Sequence, residues 1–301
     1  MLAEAEQATP DSVRSLYART YEEMRLAGYT AVGEFHYLGL AEAHAAVAAA
    51  EEAGIAMVLL LSAYARGGLE RFRQSSVGSY LQQVESLRAA GVAVGLAPHS
   101  VRACPPDWLE EIGRYAEREA LPLHVHADEQ PREIAECLAE HGVRPIELLA
   151  SNGCLGPRTT IVHATHASDG ELELLGDAGA RVCVCPTTEA NLGDGFAPVE
   201  RIRERGIGIC IGSDSNVRID PFEELRELEG TARRASGRRN VFGAGTLLCF
   251  GADEGADALQ LQSWPDIEVD LEHRCLRDVA SGDVFEALVF GCGADVVIAE
   301  T

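Results

Sequence analysis

The chain has 301 residues, 47% of them apolar, and a formal net charge of −23. It can bury a large core, as one α/β barrel or as two smaller domains. The negative charge argues against nucleic acid or an anionic membrane surface as partner, since both require a positive field. No basic, apolar leader and no run of membrane-spanning length stands out, so a soluble cytoplasmic protein is expected. All 25 basic residues are arginine, which removes Schiff-base chemistry on a lysine.

In chain order, Ser12 to Gly28 carries apolar residues at helical spacing, with Asp11 or Ser12 as cap and Gly28 as stop. Tyr29 to Phe35 is a short strand that delivers His36 and Tyr37. Helix Leu40 to Gly54 leads to strand Ala56 to Tyr64, and helix Tyr80 to Ala90 to strand Val92 to Ala97, which ends in Pro98-His99-Ser100-Val101-Arg102. Helix Asp107 to Ala120, with two prolines before it, leads to Leu121-Pro-Leu-His-Val-His-Ala-Asp-Glu-Gln130, the strand with the densest chemistry. Helices from Arg132 to His141 and around Ile146 to Ser151 precede strand Thr159 to Val162. A helix opened by Ser168 leads to strand Arg181 to Cys185, and Ala197 to Gly206 leads to strand Ile207 to Ile211.

Seven strands alternating with helices imply either a (β/α)8 barrel or an open doubly wound sheet. The open sheet would need a GxGxxG-type turn after its first strand, and none is present, so an incomplete barrel over 1–235 is expected. The remaining stretch, 236–301, reads as a helical extension: Pro221 to Ala235 is a charged helix just before it, further segments lie near Leu247 to Phe250 and Ala256 to Leu259, and an apolar strand ends at Ile298.

The carboxyl ends of parallel strands are where side chains from separate parts of the chain converge. His126, His163 and Asp214 each stand at such an end. Strand-end histidines also cap backbone groups or line a polar rim, but three such residues with Glu129 point to a shared metal site. Glu129, three residues beyond His126, is placed to act as general acid and base. His124, one pleat deeper than His126, reads as a core or supporting residue. The nine cysteines include no CxxC pair, so neither a disulfide framework nor a cysteine zinc site is indicated. Cys183 and Cys185, alternate residues of one apolar run, read as core cysteines.

Several segments carry a resemblance: Ala27 to Tyr37, His99-Ser-Val-Arg102, His124 to Gln130, Val162-His-Ala-Thr-His166, Pro186 to Gly195 and Gly212-Ser-Asp-Ser215. With these the chain resembles the formimidoylglutamate deiminases, metal-dependent hydrolases of the amidohydrolase superfamily, along nearly its whole length. The resemblance implies a zinc ion held by His126 and Asp214, and Glu129 shuttling protons to the leaving nitrogen. It implies His163 orienting the attacking water and Asp214 accepting its proton, with Tyr37, His99 and Arg102 holding a small-molecule substrate. A guanidinium pairs bidentately with a glutamate carboxylate, which suits Arg102 to that role.

The family's first-strand His-x-His pair has no counterpart, because the His-x-His here is His124 and His126. The barrel is therefore expected without its first strand and without most of a small β-sandwich, with a weakened metal site and a tendency to form homo-oligomers. Three readings follow: a zinc-dependent deiminase of N-formimidoyl-L-glutamate; a catalytically impaired relative that binds a glutamate-like ligand; and an amidohydrolase acting on another substrate, such as a nucleobase or triazine.

Overall fold

A computed structural model describes residues 2–215 and 218–298. Helices α1 (Leu2–Gln7) and α2 (Pro10–Ala27) come first, followed by β1 (Ala31–His36), α3 (Leu40–Ala53), β2 (Ala56–Ala63), α4 (Val77–Ala89), β3 (Val94–Pro98), α5 (Pro106–Glu119) and β4 (Leu123–Ala127). The order continues with α6 (Pro131–His141), α7 (Pro145–Ser151), β5 (Thr159–His163), α8 (Asp169–Ala178), β6 (Arg181–Val184), α9 (Pro186–Leu192), α10 (Val199–Glu204) and β7 (Gly208–Ile211). These seven strands form one sheet in sequence order, β1 to β7, every neighbour parallel. The fold is an incomplete (β/α)8-type barrel, and all seven expected strands are present within a few residues of their expected bounds.

One face of the strands feeds the apolar layer under the helices, through residues such as Leu59, Leu61, Leu96, Val125, Ile161 and Ile209. The opposite face holds a separate small core of Val58, Leu60 and Ala97, with Phe35, Leu259 and Leu261 against it. Gly33 makes room for that core. A Cβ there would lie 2.6 Å from Leu259 Cδ2, a separation that forces the leucine out. His124 is buried over this floor, its Nε2 2.9 Å from the Ala258 carbonyl, as its deeper position on the strand implies.

The cap of α2 is a correction: Thr9, not Asp11 or Ser12, accepts from the Ser12 amide, and Ser12 returns the bond to the Thr9 amide. Gly28 ends that helix in the left-handed conformation (φ 103°), as expected. After β7 come α11 (Pro221–Ser236), α12 (Ala244–Gly251) and α13 (Asp253–Ala258). A two-stranded antiparallel ribbon then joins β8 (Glu268–Val269) to β9 (Val297–Ile298), with α14 (Val284–Gly291) between them. The apolar strand expected to end at Ile298 is shorter than its pattern suggested, because Ala294–Val296 forms a 3-10 turn. Among the described residues no helix is long and apolar enough to cross a membrane.

Candidate active site

Among the described residues, four of the seven non-glycine residues with positive φ stand at the carboxyl ends of β4, β5 and β7: Asp128 (55°), His163 (76°), Ala164 (51°) and Asp214 (41°). Such backbone is costly for L-residues and is found where surrounding structure holds a functional geometry. Its effect is clearest at His163. The β4–β5 register pairs His126 with Val162 and pairs His163 with Ala127, whose side chain belongs to the layer under the helices. Strict alternation would therefore send His163 away from His126. The left-handed backbone breaks the alternation, and the two rings lie 5.6 Å apart.

His126 is held by the end of β3: its amide donates to the His99 carbonyl at 3.0 Å and its Nδ1 lies 2.9 Å from the same oxygen. Nδ1 is thereby the protonated nitrogen, and Nε2 keeps its lone pair. Burial, followed by the nearby His99 and His163, lowers its pKa well below 6.5. His163 is different. Burial alone would lower its pKa, but the hydrogen bond to Glu189 and the charges of Glu129, Glu189 and Asp214 outweigh burial and raise it. Its Nδ1 is 3.3 Å from Glu189 Oε1, and its Nε2 faces Asp214 Oδ2 at 3.7 Å and Glu129 Oε1 at 3.8 Å.

The substrate-side residues gather on the other flank. Arg102 reaches Glu129 Oε2 at 3.5 Å and Glu133 Oε1 at 3.8 Å, so its guanidinium lies beside the carboxylate that also faces His163. His99 packs its ring 4.6 Å from Tyr64 and 5.9 Å from Tyr37, and Tyr37 sits 5.6 Å from Phe72. Burial, then the Arg102 and His163 charges, push the pKa of His99 down to about 3. All the residues singled out from the sequence, Tyr37, His99, Arg102, His126, Glu129, His163 and Asp214, thus lie in one linked set.

Sequence reasoning passed over Glu133 and Glu189, gave Asp128 no role, and read Cys185 as a core cysteine, whereas its sulfur lies within 4.8 Å of a His163 nitrogen and an Asp214 oxygen. Glu133 is 1% exposed and accepts from the Glu129 amide at 3.0 Å, fixing the turn that carries Glu129. Asp128 is fully buried, and burial and then the charge of Glu171 raise its pKa against the opposing pull of Arg144. Glu189, also buried, holds both His163 and the Cys185 amide through one oxygen.

Residues 2–261 match the Amidohydrolase family. The chain belongs to the amidohydrolase family. This amidohydrolase is similar to the formimidoylglutamate deiminase of Pseudomonas aeruginosa, 37% identical over 255 residues that make up 77% of this chain and 56% of the relative. It is 29% identical over 263 residues to the 5-methylthioadenosine/S-adenosylhomocysteine deaminase of Haloarcula marismortui, covering 85% of this chain and 60% of that one. It therefore spans little more than half the length of these curated relatives. An adenosine deaminase from Xanthomonas campestris, solved with bound zinc, has the same fold: TM-score 0.87, 23% identity, 98% of this chain and 69% of that one.

The donor set of the amidohydrolase fits a divalent ion. His126 presents an unprotonated Nε2, and His163, Cys185 and Asp214 offer ligand atoms that all lie within 4.8 Å of one another. Nitrogen and carboxylate donors converging at a partly open strand end are what a catalytic ion of this kind takes.

Proposed function

We propose that this chain carries the catalytic centre of a metal-dependent deiminase that converts N-formimidoyl-L-glutamate and water to N-formyl-L-glutamate and ammonia. The observation that carries the reading is the position of Arg102: a guanidinium placed within 4 Å of Glu129, which itself faces His163. A substrate whose carboxylate pairs with Arg102 would present its amidine to Glu129, His163 and Asp214. The similarity to the Pseudomonas aeruginosa enzyme supports the same substrate.

In this reading His126 and Asp214 hold the ion, and zinc suits their nitrogen and oxygen donors. The ion would supply Lewis acidity that activates water at neutral pH. Glu129 takes a proton from that water and passes it to the nitrogen that leaves as ammonia. His163, whose protonated form its carboxylate neighbours favour, stabilises negative charge as it develops at the amidine carbon's new oxygen. Asp214 accepts the water's other proton and returns it to the same nitrogen, which, having gained both, leaves as ammonia. Tyr37 and His99 hold the substrate's polar atoms against the aromatic flank.

The ring cluster of Tyr37, Tyr64, Phe72 and His99 favours a second reading, in which a purine stacks on that flank and the leaving group is an exocyclic amine. One experiment separates them. Chain stripped of metal by chelation and reloaded with zinc is assayed for ammonia release from N-formimidoyl-L-glutamate and from 5′-methylthioadenosine. Turnover of the first alone supports the deiminase, and turnover of the second alone replaces it with a nucleoside deaminase.

A further inference from the structure

Cys183 and Cys185 share one face of β6 and the residue just after it, and the β6–β7 register pairs Cys183 with Cys210. The β7 chain continues to Gly212, where a Cβ would lie 2.8 Å from the Cys185 Sγ and 2.9 Å from the Cys183 Sγ. The missing side chain therefore lets two sulfurs crowd against the backbone two residues before Asp214. The Cys183 thiol lies beside those of both Cys185 and Cys210. Of the three, Cys185 is the one whose sulfur joins the ionisable cluster, within 4.8 Å of a His163 ring nitrogen and an Asp214 oxygen.

A buried thiol that only filled space would need apolar neighbours, and Cys185 instead faces a carboxylate and an imidazole. Tetrahedral zinc, with bonds of about 2.0–2.3 Å, holds its ligand atoms roughly 3.3–3.8 Å apart. The Cys185 sulfur lies within 4.8 Å of an Asp214 carboxylate oxygen, so a shift of at most about an ångström brings the two to the separation of neighbouring ligand atoms. The turn carrying Cys185 is fixed from behind, because Glu189 accepts its amide at 2.9 Å and donates its own amide to the Cys185 carbonyl at 2.9 Å. The sulfur is thus presented from a rigid backbone.

We propose that Cys185 is a sulfur ligand of the divalent ion that Asp214 holds, which makes the centre a mixed nitrogen, oxygen and sulfur site selective for thiophilic ions such as zinc, cobalt and cadmium over magnesium or manganese. The inference rests on the reading of this site as a metal centre. On binding, the thiol proton passes to solvent and a sulfur–metal bond forms, with no change of oxidation state. Cys183 and Cys210 remain thiols behind it.

The test is titration of the chelator-stripped chain with Co2+, followed by absorption. A thiolate-to-cobalt charge-transfer band saturating near one equivalent is expected, abolished in Cys185→Ser and retained in Cys183→Ser and Cys210→Ser. X-ray absorption on the zinc-loaded unmodified chain is expected to give one sulfur scatterer at about 2.3 Å, which keeps the test independent of whether any variant folds. Cobalt bound with d–d absorption alone and zinc with no sulfur neighbour would overturn the inference and leave the metal-dependent reading standing. Loss of the band in Cys183→Ser and Cys210→Ser as well would move the ion to the thiol trio and overturn it. A chain that takes up no ion would overturn both.

Discussion

His99 and His163 both stand at the carboxyl ends of barrel strands, both are largely buried, and their pKa values move in opposite directions. His99 lies among Tyr64, Tyr37 and the Arg102 charge, and its pKa falls to about 3. His163 lies among Glu189, Glu129 and Asp214, and its pKa rises. Burial penalises the cation at both, so the partners decide the outcome. The flank built by β1 to β3 is aromatic and disfavours the imidazole cation at His99; the flank built by β4 to β7 is carboxylate-rich and favours it at His163. In the proposed reaction a single cleft would thereby offer neutral rings to bind and orient, and at His163 a ring disposed to carry positive charge where negative charge develops.

The largest expected effect comes from removing the carboxylate that faces both flanks. Glu129→Gln should lower turnover by about 10²–10⁴-fold while zinc content, read by elemental analysis, stays near that of the unmodified chain, since the lost function is proton transfer. A parallel fall in zinc would make Glu129 a ligand and erase the division of labour. Arg102→Met should raise KM for formimidoylglutamate by roughly 10–100-fold with a smaller change in kcat, as expected for losing a charge-assisted pair to the substrate carboxylate. An unchanged KM would show that the substrate's acid binds elsewhere.

Glu189→Gln sharpens the comparison directly. Without that carboxylate the burial penalty on His163 is less opposed, so its pKa should drop toward the range of His99 in the metal-free protein. An NMR titration of the ring reads this, and an unmoved pKa would assign the shift to Glu129 and Asp214. A smaller effect belongs to Asp128. Its carboxyl is raised from 3.8, so the folded state favours the protonated form. Its contribution is complete below about pH 4 and is lost as pH climbs through the raised value. Asp128→Asn should flatten that slope and, at neutral pH and above, match or exceed the unmodified chain by roughly 1 kcal/mol, measured by denaturant unfolding across pH. An equal slope in both proteins would place the loss elsewhere.

The strands were readable because each is a short apolar or alternating run bounded by turn residues, and that pattern survives without tertiary information. Helix α9 was not, because Pro186 reads as a break although proline at a first helical position starts a helix as readily as it ends one. Thr9 was overlooked because the reciprocal partner is Ser12 rather than the Glu or Gln that marks such boxes. That His126, His163 and Asp214 belong together followed from their strand-end positions. How His163 reaches the group did not, since its register neighbour is Ala127 and nothing in the residue type announces a left-handed backbone. Glu189 had a signal, a carboxylate four residues after Cys185 at a helix start, but its second contact, to His163, crosses 26 residues of chain. For Cys185 the shared face with Cys183 was legible, and the space opened by Gly212 on the neighbouring strand was not.

The left-handed residues at the strand ends set the thermal behaviour of the site against its accuracy. An L-residue there costs about 1–2 kcal/mol relative to glycine's free access, while glycine gives back roughly 0.5–1 kcal/mol through the entropy of the unfolded chain. Ala164→Gly should accordingly raise the melting midpoint by a degree or so, the smallest shift anticipated here, and loosen the hinge that turns the His163 ring inward. A library sorted for heat tolerance alone would then enrich glycine at 164, and the same library sorted for turnover would keep alanine, so the two winners would part company at a residue buried in the apolar core.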